Sequence, residues 1–328
     1  MFVSIIISSY KDEPYLRKLL KQINSSNLEK FNYIEVLIGD ASEIRSDLDY
    51  GSVISNEKIK LRFFHLPKLS RSHTLNFLIK ESKGEFIVRL DARTRIRANY
   101  FNKLHLLSFS GCANVGGIMQ PIGYSRKQKA IARTMRSPFA FGWSDHRNAK
   151  TIKKTQSIYL GAFTKKLMPE MPWYEDSSYQ ISEDSLLCKK IIRNGQCNMI
   201  DPDIKAYYLA RDNQMDLFKL SFGYGVAKMN AIFADKKIIN FRFATFLIAF
   251  LFTSIVFINS LMNNPLSIKI FITLITFYFF MNFVFSGVVS SWKTKFVYRV
   301  MFYHTIVHFA YMYGVFHSIY LKVKHGKS

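Results

Sequence analysis

Phe2-Val3-Ser4-Ile5-Ile6-Ile7-Ser8, running into Ser9-Tyr10-Lys11-Asp12-Glu13-Pro14, is the stretch on which the fold turns. An apolar, β-branched run without polar alternation suits a strand covered on both faces, as in a parallel sheet. A helix is expected straight after it. Asp12 is a candidate cap, Pro14 suits a first turn, and Leu16, Leu19, Leu20 and Ile23 recur on one face. Working outward, Tyr33–Ile38 and Leu61–His65 read as strands, Ser72–Ser82 as a helix closed by Gly84, and Phe86–Leu90 as a further strand. This β-α-β-β-α-β layout predicts an α/β domain with a mostly parallel central sheet and flanking helices. Ligands of such sheets lie beyond the carboxyl ends of the strands. Just past those ends stand Ser9, Tyr10, Lys11, Asp12 and Glu13, then Asp40 and Ser42, then Asp91, Ala92 and Arg93. Each alone reads equally as a loop residue or a helix cap. Three strand ends carrying such residues to one edge suggest a site.

The 328 residues carry 46 Lys and Arg against 23 Asp and Glu, a net charge of +23, which asks for an anionic partner. The acids are unevenly placed, since none follows Asp235. Phe243 to Met262 and Ile270 to Trp292 are both free of charge. A hydrocarbon core of ~30 Å takes roughly 20 helical residues, so both are long enough to span. A nucleic-acid partner gives no reason for such a tail; a bilayer does. Val300 to Leu321 is a third apolar segment, with His304, His308 and His317, read as spanning or interfacial. Lys293, Lys295 and Arg299 lie between the second and third stretches and Lys322, Lys324 and Lys327 follow the third, which sets both flanks on the cytoplasmic side and favours the interfacial option. The expected division is 1–235 as a catalytic domain and 236–328 as a membrane region. Met1–Ser9 has no basic start and is read as a strand, not a targeting signal. Cys112, Cys188 and Cys197 form no paired motif, suggest neither zinc nor a disulfide framework, and read as small buried hydrophobes in a reducing cytosol.

Four motifs occur in order: Ser4-Ile5-Ile6-Ile7-Ser8-Ser9-Tyr10 with Asp12-Glu13; Glu35-Val36-Leu37-Ile38-Gly39-Asp40-Ala41-Ser42; Asn76 with Gly84-Glu85-Phe86-Ile87-Val88-Arg89-Leu90-Asp91-Ala92-Arg93; and Glu183-Asp184-Ser185-Leu186-Leu187 with Arg193-Asn194-Gly195. In these the chain resembles the family 2 glycosyltransferases, whose fold is called GT-A, over about residues 2–230. Val115-Gly116-Gly117, Ser137-Pro138-Phe139-Ala140-Phe141-Gly142, Tyr159-Leu160-Gly161-Ala162-Phe163 and Tyr224-Gly225 with Lys228 are similar to a bacterial branch that builds exopolysaccharide and capsule repeat units and ends in hydrophobic segments.

The resemblance implies roles. Ser9, Tyr10, Glu13, Asp40, Ser42 and Asn76 would bind the donor nucleotide. Asp91 would ligate Mg²⁺ or Mn²⁺, which neutralises the leaving diphosphate. Arg93 stands where the branch has a histidine and cannot ligate a metal, so either Asp91 anchors the ion alone or Arg93 meets phosphate directly. Arg211 lies where relatives carry a further basic residue. Asp184, beside Glu183, would be the base that takes the acceptor's proton; read without the resemblance, both are acids favouring a helix start. Gly116, Gly117, Tyr159, Gly161 and Trp173 are assigned to the acceptor side, with Trp143 and Trp173 open to core or lid roles as well. Arg126 to Arg136 reads as a solvated helix face or a surface for anionic lipid headgroups.

The expectation is an inverting transferase that uses a nucleotide diphosphate sugar, a UDP-sugar, and a polyprenyl-diphosphate-linked saccharide acceptor. It would work at the cytoplasmic face of a bacterial inner membrane, among membrane lipids and other polysaccharide-assembly enzymes, with no nucleic acid partner. The alternatives are a polyprenyl-phosphate glycosyltransferase and a catalytically inactive, membrane-tethered binding protein.

Overall fold

The structure is a computed structural model that describes residues 1–44, 50–175, 183–234, 239 and 241–325. The chain begins β1 (Phe2–Ser9), α1 (Glu13–Asn24), β2 (Tyr33–Asp40), β3 (Ile59–His65), α2 (Arg71–Glu81), β4 (Phe86–Asp91), β5 (Thr94–Arg95) and α3 (Tyr100–Ser108). It continues with β6 (Asn114–Ile122), α4 (Arg126–Arg136), α5 (Pro138–Phe141), α6 (Asp145–Asn148), β7 (Lys153–Lys154), β8 (Tyr159–Thr164), α7 (Glu183–Arg193) and β9 (Asn198–Leu209). Four long helices follow: α8 (Gln214–Ala234), α9 (Phe241–Leu261), α10 (Pro265–Ser290) and α11 (Thr294–His325). Packing groups them into two compact units, Met1–Ile122 with Trp143–Leu209, and Gly123–Gly142 with Ala210–Ser328. Chain apolarity places a boundary at residue 235, whereas packing draws α4, α5 and α8 in with the hydrophobic helices.

The first unit is one sheet in the order β3-β2-β1-β4-β8-β6-β9-β5, with β7 paired to β9. β3, β2, β1 and β4 run parallel, as the opening layout implies. Beyond β4 the sheet is mixed: β8 lies antiparallel to β4 and β6, β9 is parallel to β6, and β5 and β7 are antiparallel to β9. The apolar run of β1 serves two cores. Val3, Ile5 and Ile7 pack with Leu16, Leu19, Leu20 and Ile23 of α1. Ile6 points the other way, among Leu75, Leu78 and Ile79 of α2 and Leu187 and Ile191 of α7. Burial on both faces is therefore why this strand shows no alternation.

Three local expectations change. Asp12 makes no side-chain cap for α1; only its carbonyl serves the helix, accepting from Tyr15 and Leu16 N–H. Gly84 does not close α2, which ends at Glu81 with Ser82 in an extended conformation. Instead a Cβ at Gly84 would lie 2.6 Å from the backbone nitrogen of Ser4, so this residue lets the loop press onto β1. Cys112 and Cys197 form a disulfide, their Cα atoms 4.7 Å apart, while Cys188 is free and buried. Both paired cysteines lie just before strands that run side by side from Asn114 and Asn198, a neighbourhood that a sequence separation of 85 conceals.

In the second unit, Phe243–Leu261 and Pro265–Ser290 are long and apolar enough to cross a membrane, and only 6% of each most apolar window is buried in protein. Their apolar surface therefore faces outward, unlike that of a core helix. α11 holds the third apolar segment and packs against α8, α10 and α4, burying Val300, Tyr303, His304, Val307, Ala310 and Val315. It crosses α8 at paired glycines. A Cβ on Gly225 would meet the Tyr311 carbonyl at 2.0 Å, and one on Gly314 the Phe222 carbonyl at 2.1 Å. Small residues at such a crossing let backbones touch. Polar side chains then join α10 to α11: the Asn282 amide donates to the Met301 carbonyl (3.1 Å), and His304 Nδ1 lies 2.8 Å from Asn282 Oδ1 and 3.1 Å from Ser286 Oγ.

Candidate active site

Pairing of β1 with β2 sets Ser9 beside Asp40 at the carboxyl edge of the parallel strands. Asp40 is buried, and its Oδ1 accepts from the Ser42 hydroxyl (2.8 Å) and Ser42 N–H (3.3 Å). Ser42 Oγ in turn accepts from the Lys11 N–H (2.9 Å), and Ser9 O from the Ala41 N–H. These bonds lock the exits of β1 and β2 together and hold Lys11 at φ +53°, a conformation that a non-glycine residue adopts at a cost. Tyr10 is left half exposed above this frame, and Glu13 opens α1. Five residues assigned to the nucleotide thus share one edge.

The neighbouring exit, at β4, carries the charge. Arg89 lies in mid-strand with no exposure at all. Its guanidinium donates to Asp184 Oδ1 and to Glu183 Oε1 (3.0 Å), stands 3.5 Å from Asp91 Oδ1, and lies 5.1 Å from the Tyr174 ring centre. Arg71, the first residue of α2, donates to Asp91 Oδ1 at 2.5 Å and lies 3.2 Å from Glu183 Oε1. Three carboxylates from β4 and α7 therefore share two guanidiniums. Burial works against the charged form of Asp91, but Arg71 and then Arg89 outweigh it and hold this carboxyl below its usual range. Asp184 behaves oppositely. Burial, resisted by Arg89 and reinforced by Glu183 and Asp91, pushes its carboxyl up from 3.8 to about 7. A carboxylate so poised can accept a proton near neutral pH. Glu183 and Asp184 form the first turn of α7.

Arg93 turns toward the β1 exit. Its Nε donates to Asp12 Oδ1 (3.0 Å), and its guanidinium lies over the Tyr15 ring at 4.2 Å. Asp12 is thus an anchor for arginine rather than a helix cap. A divalent ion at Asp91 fits this arrangement poorly. Mg²⁺ and Mn²⁺ take mainly oxygen ligands, and no group of three His, Cys, Asp or Glu able to hold an ion stands together among the described residues. The expected role of Asp91 as a metal ligand is not supported by its surroundings; it is an acceptor for two arginines.

Other assignments move as well. Asn76 spends its amide on the backbone of Tyr174, donating to the carbonyl (2.6 Å) and accepting from the N–H (3.0 Å), so it braces the loop bearing Tyr174 instead of meeting a nucleotide. Trp173 is 3% exposed, packs on Phe163 and donates to the Pro169 carbonyl; it belongs to the core, not to an acceptor surface. Gly117 sits where the β6–β9 register shifts, and a Cβ there would fall 1.8 Å from the Ile204 carbonyl. Gly116 and Gly161 likewise lie inside strands, facing Ile158 and Asn114. Of the acceptor-side set only Tyr159 stays with the site: its hydroxyl is 3.4 Å from Thr94 Oγ1, and its phenol is pushed up by burial and by the charge of Asp91. Trp143 is exposed, and Arg211 belongs to the second unit. Arg71 and Arg89 were not singled out from the sequence. Arg89 had a signal: a charged residue amid Phe86-Ile87-Val88 and Leu90, in a strand with both faces covered, must have buried partners.

No protein-family model matches the chain. It is 25% identical to the dolichyl N-acetyl-alpha-D-glucosaminyl phosphate 3-beta-D-2,3-diacetamido-2,3-dideoxy-beta-D-glucuronosyltransferase of Methanococcus voltae, covering 69% of this chain and 73% of the relative. It is 23% identical to the succinoglycan biosynthesis protein ExoA of Rhizobium meliloti (strain 1021), over 67% of each chain. Among solved structures, the mannosyltransferase PcManGT from Pyrobaculum calidifontis in complex with GDP-Man and Mn²⁺ superposes with a TM-score of 0.49 at 15% identity, over 70% of this chain and 64% of that one. Residues 1–349 of TarS from S. aureus give 0.47 at 14%, over 96% and 92%. Neither superposition bears on the assignment. The motifs, the strand-end acids that they bring to one sheet edge, and the two sequence relatives agree in a likeness to glycosyltransferases, as the resemblance to family 2 implies.

Proposed function

We propose that the chain is an inverting glycosyltransferase that moves a sugar from a UDP-sugar to a saccharide carried on a polyprenyl diphosphate, in the assembly of a surface polysaccharide. The observation that carries this reading is the place of Asp184, on the first turn of α7 and joined through Arg89 to the β4 exit. An inverting step needs one such group. The acceptor hydroxyl oxygen bonds to the anomeric carbon as the carbon–phosphate-oxygen bond breaks. The diphosphate leaves with the electron pair, and the hydroxyl proton passes to Asp184. Arg89 holds that carboxylate, Ser9, Tyr10, Glu13, Asp40 and Ser42 take the uridine, and Tyr159 borders the acceptor.

The lipid-borne acceptor is supported by the apolar helices α9 and α10 and by the archaeal relative, whose name describes an acceptor sugar on dolichyl phosphate. The succinoglycan relative supports a polysaccharide product. In this reading residues 1–235 are the catalytic domain, at the cytoplasmic face of a bacterial inner membrane. The test pairs a panel of radiolabelled nucleotide sugars with two acceptors, a polyprenyl-diphosphate-linked saccharide and polyprenyl phosphate. Label moving to the first with inversion at the anomeric carbon supports the reading. Transfer to lipid phosphate alone makes the chain a polyprenyl-phosphate glycosyltransferase, and no transfer from any donor overturns both.

A further inference from the structure

At the β4 exit, the carboxylate that should hold a metal is already occupied by guanidinium groups, and the position two residues on is an arginine held by Asp12. We infer that the charge of the leaving diphosphate is met by Arg71 and Arg93 and not by a divalent ion, so that donor binding in this chain is independent of metal. The inference rests on the nucleotide-sugar reading given above.

The two arginines differ from the third in the respect that matters. Arg89 is wholly buried and spent on Asp184, Glu183 and Asp91. Arg71 and Arg93 are 36% and 21% exposed, both beside the strand exits where Asp91, Asp40 and Ser9 gather. Among the described residues the Arg93 side chain makes its only hydrogen bond through Nε, which leaves its two terminal amino groups available as a fork. The Tyr15 face beneath and the Asp12 carboxylate beside it fix the plane of that fork before any ligand arrives. A guanidinium is charged at every working pH and matches two phosphate oxygens at once, which is the service a bridging ion gives to a diphosphate. Desolvation opposes the charge of Arg93, but the charge and hydrogen bond of Asp12 more than offset it. Asp91 then has a different duty from ligation. It holds Arg71 at the site and, by neutralising it in the absence of donor, spares α2 an unpaired charge at its first residue.

The experiment is titration calorimetry of UDP into the full chain in detergent, in EDTA and again in excess Mn²⁺, with the electron spin resonance signal of free Mn²⁺ followed in parallel. The inference expects the two dissociation constants to agree within about twofold, and R93A to weaken UDP in EDTA by about tenfold or more, as loss of a charge-assisted fork would. R93K should recover part of that loss, and melting curves of R93A should match the parent because Arg93 is partly exposed. Protein with UDP should remove no more free Mn²⁺ than UDP alone. Binding that vanishes in EDTA and returns with Mn²⁺ overturns the inference while leaving the donor reading intact. UDP affinity unchanged in R93A also overturns it. If UDP binds in neither condition, the donor reading fails and takes the inference with it.

Discussion

Two polar clusters stand at opposite ends of the same parallel strands, and they are built from the same residue types. At the amino end, Glu35 of β2 is 1% exposed, yet its oxygens are fully answered. Oε1 accepts from the Ser4 hydroxyl and the Lys83 N–H, both at 2.6 Å, and Oε2 lies 3.5 Å from Arg62. Arg62 also holds Glu81 at the end of α2, and Ser4 Oγ accepts from the Gly84 N–H. At the carboxyl end, three carboxylates compete for Arg71 and Arg89, and Arg89 Nε is buried with no hydrogen-bond partner among the described residues. The amino-end cluster is satisfied and ties β1, β2, β3 and α2 together. The carboxyl-end cluster has more negative than positive charge and leaves one acid poised near neutrality. Burial of charge by itself separates nothing here; the difference lies in whether partners balance.

That contrast can be broken in graded ways. The largest effect belongs to D184N. Steady-state transfer should fall by roughly 10²–10⁴-fold, the worth of a general base, with UDP affinity kept. Unchanged turnover would remove Asp184 from the chemistry. Next comes R89M, which strands the buried Glu183 and the partly buried Asp91 and Asp184 and should cost about 3–5 kcal/mol in denaturant or thermal melts.

The pH behaviour is the third and subtler separation. Because the Asp184 carboxyl is raised from 3.8 to about 7, the rate should climb with pH through about 7 and then level off. Stability runs the other way. Between those values the folded chain keeps a proton on Asp184 that the unfolded chain has released, so this group's contribution declines as pH rises. In D184N that decline is absent. The melting temperature of the variant should therefore gain on the parent from pH 4 to 7, and parallel curves would show an unraised carboxyl. The smallest effect is expected from R62M at the amino end, about 1 kcal/mol or less, since Arg62 is a quarter exposed and Glu35 keeps two other donors. Equal losses in R62M and R89M would erase the distinction between the two clusters.

Much of this was legible in the chain. The apolar run of β1, the strand exits at Ser9, Asp40 and Asp91, and the acid pair before Leu186-Leu187 were readable because they depend on local order and spacing. Asn76, Gly116 and Gly117 were assigned by position in a motif, while the residues that they meet, such as Tyr174, Ile158 and Ile204, lie far along the chain; for Trp173 the structure takes the core role that the sequence had left open. Arg71 escaped notice because nothing local distinguishes the first residue of an amphipathic helix from a solvated one.

The sequence by itself determined the parallel half of the sheet and the two apolar helices, since hydrophobic period and uncharged length are properties of consecutive residues, and its motifs carried the likeness to glycosyltransferases. Tertiary structure decided three further matters. It paired Cys112 with Cys197, crossed α8 with α11 at Gly225 and Gly314, and surrounded Asp91 with guanidiniums. All three depend on which distant segments become neighbours. The charge that a carboxylate carries, and the ligand that it accepts, follow from those neighbours and not from its motif.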